Sequence, residues 1–493
     1  MGAAPKTRGG GLRYDACVIG AGADGLAAAA TLAKAGLKTI VVERGERPGG
    51  RLVLREFHPG FHASPFCDVL APIPAEIFWS LDLARKGVVP SSASTSLAMW
   101  PDRSHVLRWP SPEQSLLRQA ARLAEETRLR AGRDAESIPR RPLFAPAPAP
   151  APWPGDDWLT AALTDKVARE VGDPDAAAHV MALALQGRAA DPFLRGSALH
   201  LLAHGGSGLV TRGLAGALAD AAREAGAEIV CNAEAIDIRQ ARDRVCAIGL
   251  ADGSQIETRA ALSTLDLKRT FLSLFHWDAL PKPVARRVAA FRMAGSTARL
   301  LLALDRLPGL DAASMRAPIH VAPDPAVMAE ATAAWRSGVV PQHPPLSFRI
   351  VSASDPGLAP ASHAVMTATL GCIPFRLFDG AWTREKRDLL RDRALAAIES
   401  VLPGTMARIV AAELIVPPDI EEALGATDGD LWGGEIAADQ MFGFRPGFDI
   451  AAPRTPLAGL YLAGPSSPAG PLATCGAGTI AARAMIADLG RPR

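Results

Sequence analysis

Residues 14–51 read YDACVIGAGADGLAAAATLAKAGLKTIVVERGERPGGR. Asp15–Ile19 is a short apolar run closed by glycine, the pattern of a buried parallel strand. Gly20, Gly22 and Gly25 follow as G-x-G-x-x-G, and the alanine-rich run Leu26–Ala35 is a strong helix former. Gly36 ends that helix, Lys38–Val42 forms a second strand, and Glu43 closes it. A lone glycine fingerprint is a weak signal. Strand, helix and acid in this order and at this distance make a dinucleotide-binding βαβ unit. Gly20 permits the tight turn, Gly22 lets the backbone approach a pyrophosphate, and Gly25 lets helix and strand pack closely. The helix N-terminus offers free N–H groups and the positive end of its dipole to phosphates. Glu43 is placed to accept hydrogen bonds from a ribose diol.

Composition narrows the class. A chain of 493 residues, 48% of them hydrophobic, can build two or three domains with large cores. A net charge of +2 gives no footprint for nucleic acid. The six cysteines (17, 67, 231, 246, 372 and 475) contain no CxxC pair, which predicts a reducing compartment, the cytoplasm, and no disulfide framework or zinc site. No apolar core precedes Tyr14, so no secretory signal is expected. No uncharged apolar run is long enough for a transmembrane helix.

Further along, Gly49-Gly50-Arg51 brings backbone and a cation toward a second part of the same cofactor. Leu52–Phe66 reads as an extended segment turning at Pro59-Gly60, and it carries His58, His62 and Ser64. Helices are expected near 75–85, from Ser111 to about Gly132, and over 156–187 and 192–204. The alternating prolines of 144–154 read as a polyproline II connector. Leu209–Ala225 reads as a helix, 227–230 and 233–239 as strands, and 245–250 with 255–259 as a hairpin across Asp252-Gly253. Ala260–Thr264 reads as a separate short strand. Strands are expected at 298–304, 347–353 and 364–370, and a helix over 383–402. Gly459–Ala463 is a final strand, followed by a glycine- and proline-rich loop and a helix over 479–489. The N-terminus of that helix can be aimed at the N1/C2 edge of a flavin.

The segments VIGAGADGLAAAATLAKAG, VVERGERPGGR, EFHPGF, GAEI with NAEAI, DPGLAPASHAVM, LWGGEIAADQMFGFRP and TPLAGLYLAGPSSPAG span nearly the whole chain. In these the sequence resembles the FAD-dependent phytoene desaturase superfamily. It is most similar to the phytoene dehydrogenase-related branch, the pyridine nucleotide-disulphide oxidoreductase domain protein 2-like proteins. The resemblance implies an α/β fold: a glutathione-reductase-type Rossmann FAD-binding domain assembled from discontinuous segments (12–85, 205–275 and 440–493), plus an α+β substrate domain (86–204 and 276–439). It implies FAD as cofactor. Carried over by motif, Gly20, Gly22, Gly25, Glu43, Arg44, Gly49, Gly50, Arg51, Ala235, Gly464, Gly470 and Leu472 fall at cofactor positions. Two positions depart from the pattern. Pro468-Ala469-Gly470-Pro471 stands where the family usually has Pro-Gly-Gly-Gly, and Asp24 stands where the branch usually has Asn.

The expected chemistry is hydride transfer from an apolar small molecule, an isoprenoid or other lipid, to flavin N5, with oxygen or a quinone as electron acceptor. The cofactor carries the difficult step. A flavin amine or alcohol oxidase and a flavin-binding scaffold without turnover are the alternatives. His62 and Glu435 are the candidate catalytic residues. Trp432, Met441 and Phe442 line a channel or belong to the core. His200 and His204 share a helical face but lack a third ligand, so no metal is expected. Peripheral membrane contact and a homo-oligomer complete the expectations.

Overall fold

Ala16, Cys17, Val18 and Ile19 are buried on both faces, which requires neighbours on both sides. They pair in parallel with Thr39–Val42 on one side and with Ala260–Ser263 on the other. The sheet continues outward from Ile40–Val42 to Glu228–Val230, and from Ala261–Ser263 to Leu460–Leu462, all parallel. Segments hundreds of residues apart therefore share one sheet, as the resemblance implies. The computed structural model describes residues 13–89, 95–108, 115–137, 156–204, 208–209, 213–276, 279–441, 445–446 and 453–490. Ser111, residues 144–154 and Phe442 lie outside them.

One expected boundary is wrong. Residues 255–259 and 260–264 are one strand, Gln255–Ser263. Its first part pairs antiparallel with Arg244–Leu250, and its last residues pair in parallel with Leu460–Leu462. One strand can exchange partners along the same edge because the two neighbours follow each other end to end. The long helix expected over 156–187 is three helices, Asp156–Thr160, Leu163–Glu170 and Pro174–Leu185. Asp173 starts the third by accepting the Ala176 N–H at 2.7 Å, with Pro174 at its first turn.

Helices Ala23–Lys34, Leu214–Glu224 and Gly476–Leu489 cover one face of the sheet. Their contact is made of small residues: Ala27 to Ala30, Ala217, Ala221, Ala481, Ala482 and Ala484 are all buried there. Small side chains bring the helix axes close. A methyl group on Gly478 would overlap the Asp24 carbonyl, so the N-termini of the first and last helices meet.

A second seven-stranded sheet runs in the order 409–415, 298–304, 364–370, 346–350, 319–321, 95–99 and 104–108. It is antiparallel except where 319–321 meets 95–99. Its two faces differ sharply. Leu300, Leu302, Phe348, Met366 and Ala368 pack against Leu390, Ala394 and Ile398 of helix Arg384–Val401. The register puts His320, Ser347, Arg349, Thr367, Thr369 and Arg299 on the opposite face. Among the described residues no helix is long and apolar enough to cross a membrane.

Candidate functional site

The main cleft lies at the C-terminal ends of the parallel strands, where Ile19, Gly20, Val42, Glu43, Thr264 and Leu265 line it. This is where an open α/β sheet places a ligand. Gly20 has φ +96 and its N–H bonds the Val42 carbonyl at 2.8 Å, so the chain turns away at the end of its strand. A methyl on Gly25 would overlap the Gly20 carbonyl oxygen, which is the close helix–strand packing the motif predicts. A methyl on Gly22 would meet no described atom within 4 Å: it would project into open cleft. The glycine pair folds against this loop. Gly49 donates to the Ala21 carbonyl at 2.8 Å, and Gly50 (φ +53) faces the Gly22 backbone.

Glu43 is held by backbone. Its carboxylate accepts the Ala21 N–H at 2.7 Å and the Gly45 N–H at 2.8 Å. Four lone-pair positions leave room for further donors. Arg44 donates to the Ala423 carbonyl at 2.6 Å and, with Ala235, Glu234 and Arg269, lines the same end of the cleft. Gly49, Gly50, Arg51 and Gly470 line its middle, and Ala71, Ala203, Leu431, Trp432 and Thr474 its far end. Three residues expected at cofactor positions do not line the cleft. Gly25 packs under it. Gly464 sits where a methyl would overlap the Thr264 and Leu265 carbonyls. Leu472 belongs to a core cluster with Leu117, Met181 and Ile436. Gly464 and Gly25 thus shape the cleft from behind.

No residue of the helix over 476–489 lines the cleft, and its Gly478 N–H is engaged within the fold. Asp24 accepts the Gly478 N–H at 3.0 Å. Burial between the two helix ends pushes the Asp24 carboxyl up to about 6, against the pull of Gly478, Arg51 and Ala477.

Beyond the far end a smaller chamber opens. Arg51, Ala71, Ala203, Leu431 and Trp432 line both cleft and chamber, and Phe66, Cys67, Asp68, Gln186, Arg188, Thr297, Arg299 and Thr369 complete it. The Arg51 guanidinium bonds the Leu431 carbonyl, so it points to this end rather than along the glycine loop. Arg299 pairs with Asp68 and bonds Thr369. Arg188 lies with its guanidinium 4.0 Å over the Trp432 ring and donates to the Ala184 carbonyl at 2.9 Å. A side cavity begins at Arg188, His200, Asp430 and Trp432, and burial pushes His200 down to about 3, so it is neutral there. Burial also pushes Asp430 up to about 6, although it accepts the Trp432 and Gly434 N–H groups at 2.7 Å.

The two catalytic candidates lie elsewhere. His62, on the short strand Phe61–Ala63, lines neither cleft nor chamber, and its Nδ1 is buried without a described partner. Glu435 lines the side cavity, 39% exposed, and pairs with Arg292. Sequence reading missed Asp68, Arg188, Arg299 and Asp430. Its available signal was a charge embedded in an apolar run, as in Ala298–Leu304, ARLLLAL. No group of three or more His, Cys, Asp or Glu that could hold a metal ion occurs among the described residues.

Residues 25–314, more than half the chain, match the family described as flavin containing amine oxidoreductase. The chain belongs to this family. It is 26% identical to the mouse protein named pyridine nucleotide-disulfide oxidoreductase domain-containing protein 2, across 97% of this chain and 94% of that one. Its fold is like that of an oxidoreductase from Methanosarcina mazei, with TM-score 0.59 and 16% identity over 96% of this chain and 99% of that one. A triple mutant of putrescine oxidase gives TM-score 0.59 and 14% identity over 97% of this chain and 99% of that one. These findings agree with the motif resemblance and with its Rossmann-plus-substrate-domain fold. As a member of the flavin containing amine oxidoreductase family, the protein is an FAD-dependent oxidoreductase.

The cleft of this flavin oxidoreductase suits FAD on its own geometry. Its lining includes an acid, Glu43, and an indole, Trp432. Open space at the Gly22 Cα, beside a helix N-terminus, is the cradle a diphosphate needs.

Proposed function

We propose that the protein dehydrogenates a largely apolar small molecule bound in the chamber beyond the cleft. FAD, when bound, accepts the hydride and later passes the electrons on, to oxygen or a quinone in this reading. The observation that carries the proposal is the shared wall: five residues, Arg51, Ala71, Ala203, Leu431 and Trp432, line cleft and chamber together. A substrate in the chamber would therefore lie against the far end of the cofactor.

In this reading Glu43 takes the ribose hydroxyls on lone pairs left over from Ala21 and Gly45. Gly22, Gly50 and the first turn of helix Ala23–Lys34 receive the diphosphate. Ala235, at the Arg44 end of the cleft, would hold the adenine with its backbone. Trp432, Leu431 and Ala71 exclude water from the reacting end and orient the substrate. His62 and Glu435 are not carried into the proposal, because neither lines the chamber.

The amine-oxidase alternative meets an electrostatic obstacle. A protonated amine entering the chamber would face Arg51, Arg188 and Arg299 against a single carboxylate, Asp68. CH–CH or alcohol dehydrogenation meets no such barrier. The test is anaerobic mixing of the purified FAD-loaded protein with apolar alkanes and alkenes, alcohols and amines. Bleaching of the flavin band by the alkanes and alkenes supports the proposal, and bleaching by alcohols alone supports the alcohol-oxidase alternative. Bleaching by amines alone refutes the substrate class, and no uptake of FAD refutes the cofactor geometry. Stopped-flow reoxidation with oxygen and with a quinone distinguishes the acceptors.

A further inference from the structure

Arg188 is 7% exposed and lies where three cavities meet. It lines the side cavity, the chamber and a third cavity of about 560 Å³. Its Nη atoms bond the Ala184 and Ala203 carbonyls, and its Nε is buried with no described partner. No described carboxylate pairs with it. Asp430, the acid that influences it, spends its oxygens on the Trp432 and Gly434 N–H groups.

Its surroundings repeat the pattern. Arg349, 3% exposed on the polar face of the second sheet, has both Nε and Nη1 buried without described partners. Arg299, 1% exposed, has an orphan Nε and shares Asp68 electrostatically with Arg349. Arg188, Arg299 and Arg349 are three buried cations on which two acids act, Asp430 on Arg188 and Asp68 on Arg299 and Arg349. Guanidinium keeps its proton in proteins, so the imbalance is relieved by an anion rather than by deprotonation. A planar, unsatisfied guanidinium edge is matched by a carboxylate.

The third cavity has a different character. Leu185, Val327, Met328, Pro344, Leu346 and Cys372 line it, and its inner end is Gln186, Arg188 and Thr369, which also line the chamber. Asp324, His320, His343 and Arg393 also line it, and Arg393 already donates to the Val340 and Pro341 carbonyls, so an apolar wall with Arg188 at the inner end suits a ligand whose body is hydrocarbon and whose end is charged.

We infer that the substrate is an apolar carboxylate: its carboxylate binds Arg188, and its hydrocarbon body lies in the cavity lined by Val327, Met328 and Leu346. This rests on the proposed function, whose chamber the Arg188 end of the ligand reaches while its body lies in the third cavity, and it narrows the substrate class. The notion of a purely hydrocarbon substrate does not account for Arg188.

The experiment is a binding titration of the FAD-loaded protein with three probes of equal length: a saturated twelve-carbon carboxylate, its alcohol and its primary amine. Binding is read from flavin absorbance and, independently, from tryptophan fluorescence. The expected result is at least about 10-fold tighter binding of the carboxylate than of the alcohol, with the amine weakest. Arg188→Met removes that preference, and Arg188→Lys restores part of it. Met328→Trp weakens the twelve-carbon acid while leaving a four-carbon acid unchanged. Equal or tighter binding of the alcohol or amine overturns the inference, as does no binding of any probe, or an Arg188→Met protein with an unchanged carboxylate affinity. If the arginine variants do not fold, the three-probe comparison on the native protein still decides. A flavin that bleaches with a neutral substrate while ignoring carboxylates would leave the proposed function standing and overturn this inference alone. Failure to take up FAD would overturn the function, and the fluorescence titration would still report the carboxylate preference.

Discussion

Asp24→Asn is the sharpest probe of how the first and last helices are joined. The carboxylate accepts the Gly478 N–H at 3.0 Å, and an amide oxygen can accept the same bond. The substitution therefore removes charge and keeps geometry. Burial raises the carboxyl from 3.8 to about 6. That difference corresponds to about 3 kcal/mol, an upper figure for the cost of holding the group ionised at neutral pH. The sign follows from proton counting. Between the two values the folded protein holds the proton and the unfolded chain has lost it, so stability falls as pH rises from about 4 to about 6 and then levels off. Denaturation midpoints of native and Asp24→Asn protein, both FAD-loaded, are to be compared at pH 4.5 and pH 8 by titration with urea. The variant should be more stable than the native protein at pH 8, by up to about 3 kcal/mol, and close to it at the lower pH. A variant less stable at pH 8, or a gap that does not change with pH, would refute the reasoning. Asn is also the residue that the branch resemblance leads one to expect at this position.

Gly22→Ser should leave the melting point nearly unchanged, since Ser is a good helix N-cap, within about 1 kcal/mol, but should abolish FAD retention measured by bound absorbance. Gly25→Ala should do the reverse in order of cause: its methyl overlaps the Gly20 carbonyl, so stability drops first, by about 1–3 kcal/mol. Arg299→Met removes the hydrogen-bonded partner of buried Asp68 and leaves it only the charge of Arg349, and should cost about 3–5 kcal/mol by denaturant titration, part of which Arg299→Met with Asp68→Leu recovers. Glu435→Gln should keep kcat and KM within about 2-fold, because surface ion pairs contribute about 1 kcal/mol or less; a loss of kcat alone would restore Glu435 as a catalytic residue.

Legibility followed distance along the chain. The glycine fingerprint, its strand and helix, and Glu43 were readable because the βαβ unit is local: turn, dipole and acid are set by spacing within 14–51. The strands at 298–304 and 364–370 were readable from apolar runs. The break at Asp173-Pro174 is not part of the sequence reading, which runs one helix through 156–187; the structure starts a helix there with Asp173 as its cap. Residues 255–263 could not be read as one strand, because alternation in their first half and continuous burial in their second reflect two different neighbours.

The sequence alone determined the FAD fold, the glycine turn and the place of Glu43 at the end of its strand, since each depends on short-range backbone geometry and on the matching of quoted motifs. Only the tertiary structure decided the character of the substrate side. Asp68, Arg188, Arg299, Arg349 and Trp432 come from separate segments, and their meaning lies in which charges are buried together and which remain unpaired. Burial sets the energetic weight of a charge, and burial is a property of the folded chain, not of any stretch of it.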